Sequence, residues 1–149
     1  MNISAPLTNS MQMKIVLDTN CLIPIIVPGS FGHDIWQAFR QGRYTLCVST
    51  EILLEYEEIL MRMTEDREFT SYVVDAISNA PNVEQVTPVY RFNLITADPD
   101  DNKFVDCAIT AGATYIVSND RHFSELQHYD FPKVDVRTLS EFLNIVRGL

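Results

Sequence analysis

Two short apolar runs constrain this chain more than anything else in it. Lys14-Ile-Val-Leu17 and Tyr115-Ile-Val117 show no polar alternation after their first residue. A strand with one wet face alternates. A strand buried on both faces does not, and such strands belong to parallel sheets covered by helices on either side. Each run also leads into a polar turn carrying an aspartate: Asp18-Thr19-Asn20 after the first, Ser118-Asn119-Asp120 after the second.

The remaining segments alternate between helix and strand periods, the pattern of one α/β domain. A helix is expected over residues 33–41, stopped at Gly42, then a strand over 44–48. Ser49 or Thr50 can cap a helix over 51–63, and another helix follows over 67–79. Residues 83–86 read as a short strand, whereas 89–95 is ambiguous, with a loop as one reading. Asp98-Pro99 is a helix start signal for a segment running to Ala111 and ending at Gly112. Residues 134–136 read as a last strand, and Thr138-Leu-Ser-Glu141 as a capping box for the final helix. Phe31, Trp36 and Phe39, at roughly helical spacing, read as core, and Met61 and Met63 as packing residues. The expected organisation is a flexible leader over 1–12 and a single domain over 13–149, in line with a length of 149 residues.

Composition narrows the class. With 46% hydrophobic and 21% charged residues, 5 Gly and 7 Pro, the chain is neither disordered, collagen-like nor a coiled coil. Cys21, Cys47 and Cys107 are odd in number and far apart, which disfavours a disulfide framework or a thiolate zinc site and fits a reducing cytoplasm. No apolar run reaches the ~18 residues of a membrane span, and the leader lacks the pattern of a secretory signal. Eleven Lys+Arg against twenty Asp+Glu give a net charge of -9. Bulk attraction to a polyanion is therefore excluded as a source of affinity. Clustered carboxylates that hold divalent cations reconcile such acidity with nucleic-acid chemistry, because a bound ion inverts the local charge.

The carboxylates fall where such a cluster would form. Ligands of a doubly wound sheet bind at the carboxyl ends of its strands, which is where Asp18 and Asp120 stand. At about 100° per residue, Asp101 starts the stripe that Phe104, Val105 and Ala108 continue, so it points inward at a helix start. Asp106 lies about 140° from Asp101, off that stripe, as a surface residue or one supporting the site from behind. On the helix over 51–63, Glu55 and Glu57 border opposite edges of the apolar stripe. Helical geometry does not separate them, and Glu55 is only the nearer to the strand end. Asp18, Glu55, Asp101 and Asp120 cannot all stay ionised at close range without compensation. A hard divalent cation such as Mg²⁺ or Mn²⁺ supplies it and promotes hydrolysis of a phosphate ester.

At these residues the sequence resembles the PIN-domain family of metal-dependent ribonucleases, in particular its toxin-like branch from toxin–antitoxin systems. Four stretches carry the resemblance in order: Ile15-Val-Leu-Asp-Thr-Asn20, Ser49-Thr-Glu-Ile-Leu-Leu-Glu55, Asp98-Pro-Asp-Asp-Asn-Lys-Phe104 with the helix through Cys107-Ala108, and Tyr115-Ile-Val-Ser-Asn-Asp120. It implies a three-layer α/β/α sandwich around a parallel sheet and an acidic metal site of Asp18, Glu55, Asp101 and Asp120. The choice of Glu55 over Glu57 rests mainly on it. It further implies supporting roles for Asn20 and Ser118, with Asp106 as an accessory ligand. The implied cofactor is Mg²⁺ or Mn²⁺ and the substrate RNA, with a toxin role, an antitoxin partner and a homodimer. Many relatives have Gly where Asn119 stands, a departure in the turn rather than in the acids. Arg121, next to the last acid, and Lys103 are candidate RNA contacts, although Arg121 can equally pair with a surface acid. His33, His122 and His128 show no ligand spacing, though His122 stands two residues after Asp120.

Three rival readings are weaker. A haloacid-dehalogenase-like phosphatase needs Asp-x-Asp, and Asn20 breaks it. A receiver domain needs a late Lys at a strand end and paired acids after the first strand. A PIN scaffold that binds RNA or a protein without cleaving would have no need of the intact acid set.

Overall fold

In the computed structural model, residues 12–130 and 132–149 are described. The expected leader therefore lies outside the described residues except for Gln12. Five strands, β1 Lys14–Leu17, β2 Thr45–Val48, β3 Val83–Gln85, β4 Tyr115–Val117 and β5 Val136–Arg137, form one sheet in the order β3-β2-β1-β4-β5. Every neighbouring pair is parallel. The helices are α1 Ile23–Ile26, α2 His33–Arg40, α3 Thr50–Thr64, α4 Arg67–Asn79, α5 Asn102–Ala111 and α6 Leu139–Arg147.

Burial along the strands shows that both faces of the sheet are covered. Ile15, Val16 and Leu17 are at most 2% exposed, and Leu46, Cys47 and Val48 at most 3%. Successive strand residues point to opposite faces, so a run buried without a break requires helices on both. The result is the expected three-layer sandwich. Helix α2 packs on α6, α3 packs on α4 and α5, and α5 also lies against β1, β2 and β4.

Local chemistry sets the helix ends. The Ser49 hydroxyl accepts from the Ile52 N–H, Asp66 accepts from Phe69, and Thr138 with Glu141 forms a complete capping box. Gly112, at φ 67°, ends α5 in the left-handed conformation that glycine adopts without strain. The segment beginning at Asp98-Pro99 opens as a tight 3₁₀ turn, Pro99–Asp101, and becomes α-helical only at Asn102. Asp98 accepts from the Asp100 N–H there, as a capping residue does.

Some sequence expectations are corrected. Phe31 is 60% exposed rather than core, because it sits in the turn ahead of α2 and not on it. Met63, 64% exposed, lies in the last turn of α3, where the apolar stripe has run past its packing partners. Residues Arg121–His128 form a 3₁₀ run that the sequence did not announce. The ambiguous stretch 89–95 is a loop held by side chains of α5. Asn102 accepts from the Ile95 N–H and donates to the Ile95 carbonyl, both at 2.9 Å. Asp106 accepts from the Phe92 N–H at 3.1 Å. Asp106 is thus 1% exposed and not a surface residue: the face of α5 turned away from its sheet-facing stripe is roofed by this loop. No described helix is long and apolar enough to cross a membrane.

Candidate functional site

The chain leaves β1 to build β2 and β3 on one side, then returns to build β4 and β5 on the other. The order reverses between β1 and β4, and the crevice at that switch is where open α/β sheets bind ligands. Leu17 pairs with Val117 across it, so the residues just beyond, Asp18 and Ser118, emerge side by side.

Asp18 is 3% exposed. The Ser118 hydroxyl donates to its Oδ2 at 2.7 Å and in turn accepts the Asp120 N–H at 2.9 Å, so one buried hydroxyl fixes both strand-end turns. Asn20 reaches Asp18 Oδ1 with its backbone N–H at 3.4 Å, not with its amide side chain. Burial raises the Asp18 carboxyl above its ordinary value; the bonds from Ser118 and Asn20 oppose this, while the Asp120 and Glu55 charges add to it.

Glu55 comes to this crevice from α3, whereas Glu57 is exposed. The Thr19 hydroxyl donates to Glu55 Oε2 at 2.5 Å and the Lys103 ammonium lies 2.6 Å from Oε1. Lys103 also donates to the Asp100 carbonyl. Its head group is therefore engaged inside the crevice and not displayed along a surface path. Arg121, by contrast, is exposed.

Asp101 enters from the tight turn before α5. It is 8% exposed, and its Oδ2 is buried without a hydrogen-bond partner. Its carboxyl is pushed up to about 7, first by burial and then by the charges of Asp120, Asp98 and Asp18, with His122 opposing. Asp120 and Glu55 thus act on Asp18, and Asp120 and Asp18 on Asp101, across one crevice. Asp106 stands apart, occupied by the loop; its carboxyl is raised by burial against the Phe92 bond.

Two participants were not assigned from the sequence. Asp98, read there as a cap alone, brings a carboxylate oxygen to the same place. His122 Nδ1, also buried and unpartnered, lies 3.3 Å from Asp120 Oδ1 and 3.6 Å from Asp101 Oδ2. Donor atoms of Asp98, Asp101 and His122 all fall within 4.8 Å of one another. The spacing Asp120-x-His122 was the available signal, and only the 3₁₀ turn after β4 folds it back onto Asp101. Thr19 is a third addition, hidden in the sequence because its partner Glu55 is 36 residues away.

These residues fit a divalent cation. Buried carboxylate oxygens in mutual repulsion, one of them without any donor, are what a hard cation would satisfy.

A search of curated proteins finds no significant match to the chain. Among solved structures, the fold is similar to VapBC2 from Rickettsia felis bound to a DNA fragment from its promoter. That match has 16% identity and a TM-score of 0.56 over 85% of this chain and 98% of that one. It is also similar to DNA-bound VapBC from Salmonella typhimurium, at 18% identity and a TM-score of 0.55 with the same coverage. At such identities the likeness is one of fold. The sequence itself matches the model of the PIN domain over residues 14–122, a span that begins at β1 and closes on His122 at the crevice. That match takes in all four acids, and the chain accordingly belongs to the PIN domain family.

Proposed function

We propose that this protein is a Mg²⁺- or Mn²⁺-dependent ribonuclease that hydrolyses RNA phosphodiester bonds, with Asp18, Glu55, Asp101 and Asp120 holding the cation. The observation that carries the reading is the buried Asp101 carboxylate, pressed on by Asp18, Asp98 and Asp120 with no donor on its Oδ2. When bound, a divalent ion supplies Lewis-acid activation of the phosphodiester and of the attacking water.

The chain's own residues prepare that chemistry. The Ser118 hydroxyl holds Asp18 in one rotamer while bonding to the turn that carries Asp120. Thr19 and Lys103 orient both oxygens of Glu55 and offset part of its charge, whereas Asp18, Asp101 and Asp120 have no lysine or arginine on them among the described residues. Beside the crevice, a cavity of about 420 Å³ is lined in part by Asp120, Arg121, Lys133 and Arg137. Asp135 and Glu141 line it too, and Lys133 lies 4.0 Å from Asp135, so the exposed Arg121 beside Asp120 is the cation offered to an RNA phosphate.

Likeness to VapBC assemblies supports a toxin role, with an antitoxin that covers the site. The net charge of -9 suits a basic partner. A homodimer would set two crevices beside one RNA.

The test is a cleavage assay on mixed RNAs, with Mn²⁺ or with chelator, comparing wild type with Asp18→Asn and Asp101→Asn. Cleavage that needs the metal and both aspartates is the expected result, and equal cleavage by all three proteins overturns it. RNA retention without turnover points to a binding scaffold. Release of phosphate from a small ester, with no RNA cleavage, points to a haloacid-dehalogenase-like phosphatase.

A further inference from the structure

We propose that His122 is a nitrogen ligand of the cation at this site, alongside Asp98 and Asp101, and that it biases the site toward first-row transition ions over Mg²⁺. The inference rests on the metal-site reading above and adds a donor of a different chemical kind.

The geometry is that of donors facing a shared space, not of a formed hydrogen bond. His122 Nδ1 lies 3.3 Å from Asp120 Oδ1 and 3.6 Å from Asp101 Oδ2, and no hydrogen bond is made to it. Two adjacent ligand atoms on an octahedral ion with bonds of about 2.1 Å stand about 3 Å apart. The donor atoms of Asp98, Asp101 and His122 lie within 4.8 Å of one another, which one ion can span. A second observation comes from Asp101 itself, 8% exposed with its Oδ2 unpartnered.

The surrounding backbone holds these donors in place. The His122 N–H donates to Asp120 Oδ1 at 2.8 Å, which fixes the turn that presents the imidazole. Glu125, on the same 3₁₀ run, accepts the Thr96 and Ala97 N–H groups, each at 3.0 Å, and the Thr96 hydroxyl at 2.8 Å. The run bearing His122 is thereby tied to the segment leading into Asp98. Imidazole is a softer donor than carboxylate, and transition ions gain more from it than Mg²⁺, which keeps to oxygen and water.

The test uses Mn²⁺ as a paramagnetic probe bound to the full-length protein. Pulsed electron paramagnetic resonance should show ¹⁴N coupling from one imidazole in wild type. The coupling should vanish in His122→Gln and survive in the double variant His33→Gln, His128→Gln, which leaves His122 as the single histidine of the three in the chain. In competition with Mg²⁺, His122→Gln should lower the preference for Ni²⁺, an ion that imidazole suits, by at least about tenfold, the loss that removal of even an outer-shell partner produces. Thermal unfolding without metal checks that the variant is folded; if it is not, the double variant alone decides, by keeping or losing the ¹⁴N signal. Mn²⁺ bound tightly but without nitrogen coupling overturns the role of His122 and leaves the carboxylate site standing. No Mn²⁺ binding by wild type overturns both.

Discussion

The two ends of strand β1 handle charge in opposite ways. At the amino end, Lys14 is paired: its ammonium is 2.9 Å from Glu84 and also donates to the Ala111 carbonyl. At the carboxyl end, four residues on, Asp18 is buried among other carboxylates. Among the four proposed ligands, Glu55 alone has a lysine on it, and His122 is the nearest basic group to Asp101 and Asp120. The first end is arranged as a stable fold arranges exposed charge. The second keeps a repulsion that folding alone would remove, and such unrelieved local conflict marks functional sites.

This contrast can be broken or sharpened by substitution. The largest effect is expected at the unpaired end. Asp18→Asn or Asp101→Asn should reduce RNA cleavage by at least ~100-fold, because loss of even a residue that only supports a metal ligand costs 10- to 100-fold. Single-turnover assays check this. The same substitutions should leave the metal-free protein as stable as wild type or more so, since each removes a buried charge in a repulsive cluster.

Next in size is a pH effect. Asp101 holds its proton up to about 7 in the folded chain, against about 4 when unfolded. The folded state binds the extra proton between those values, so its stability falls as pH rises from about 4 to about 7 and levels off above. Asp18, raised in the same direction, adds to the trend. Thermal melts of metal-free protein should show this slope, and Asp101→Asn should flatten it. Adding Mn²⁺ should raise the melting temperature most at the upper end of the range, where the carboxylates are ionised. A melting temperature insensitive to Mn²⁺ at pH 7.5 would contradict the site.

Asn102→Ala should cost about 2 kcal/mol, because it leaves the buried N–H and carbonyl of Ile95 without partners. Hydrogen exchange should then quicken in the loop over residues 89–98. The smallest effect belongs to the paired end. Lys14→Met should change stability by no more than about 1 kcal/mol, since the Lys14–Glu84 pair is about one-third exposed, and should leave cleavage unchanged. A large loss of activity there would erase the distinction between the two ends.

Much of this is legible in the amino-acid sequence alone. The unbroken apolar character of 15–17 and 115–117 announced a sheet covered on both sides, and the strands fall there. The capping box at 138–141, visible as Thr-x-x-Glu, opens α6. The short 3₁₀ run after Asp120 was not legible, because its turns are set by side chains closing on backbone groups and not by an apolar period. Glu55 and Glu57 could not be separated by helical angle, since both border the stripe. What separates them is the position of Thr19 and Lys103, brought in from the turn after β1 and from α5.

The sequence by itself determined the layered parallel fold and the strand-end positions of Asp18 and Asp120. Hydrophobic period and turn chemistry are local, and a few neighbouring residues suffice to express them. Tertiary structure decided which acids share a crevice, that Asp106 serves a loop rather than standing at the surface, and that His122 and Asp98 face Asp101. Those outcomes depend on distances between segments far apart in the chain, fixed only when the order of strands around β1 brings the segments together.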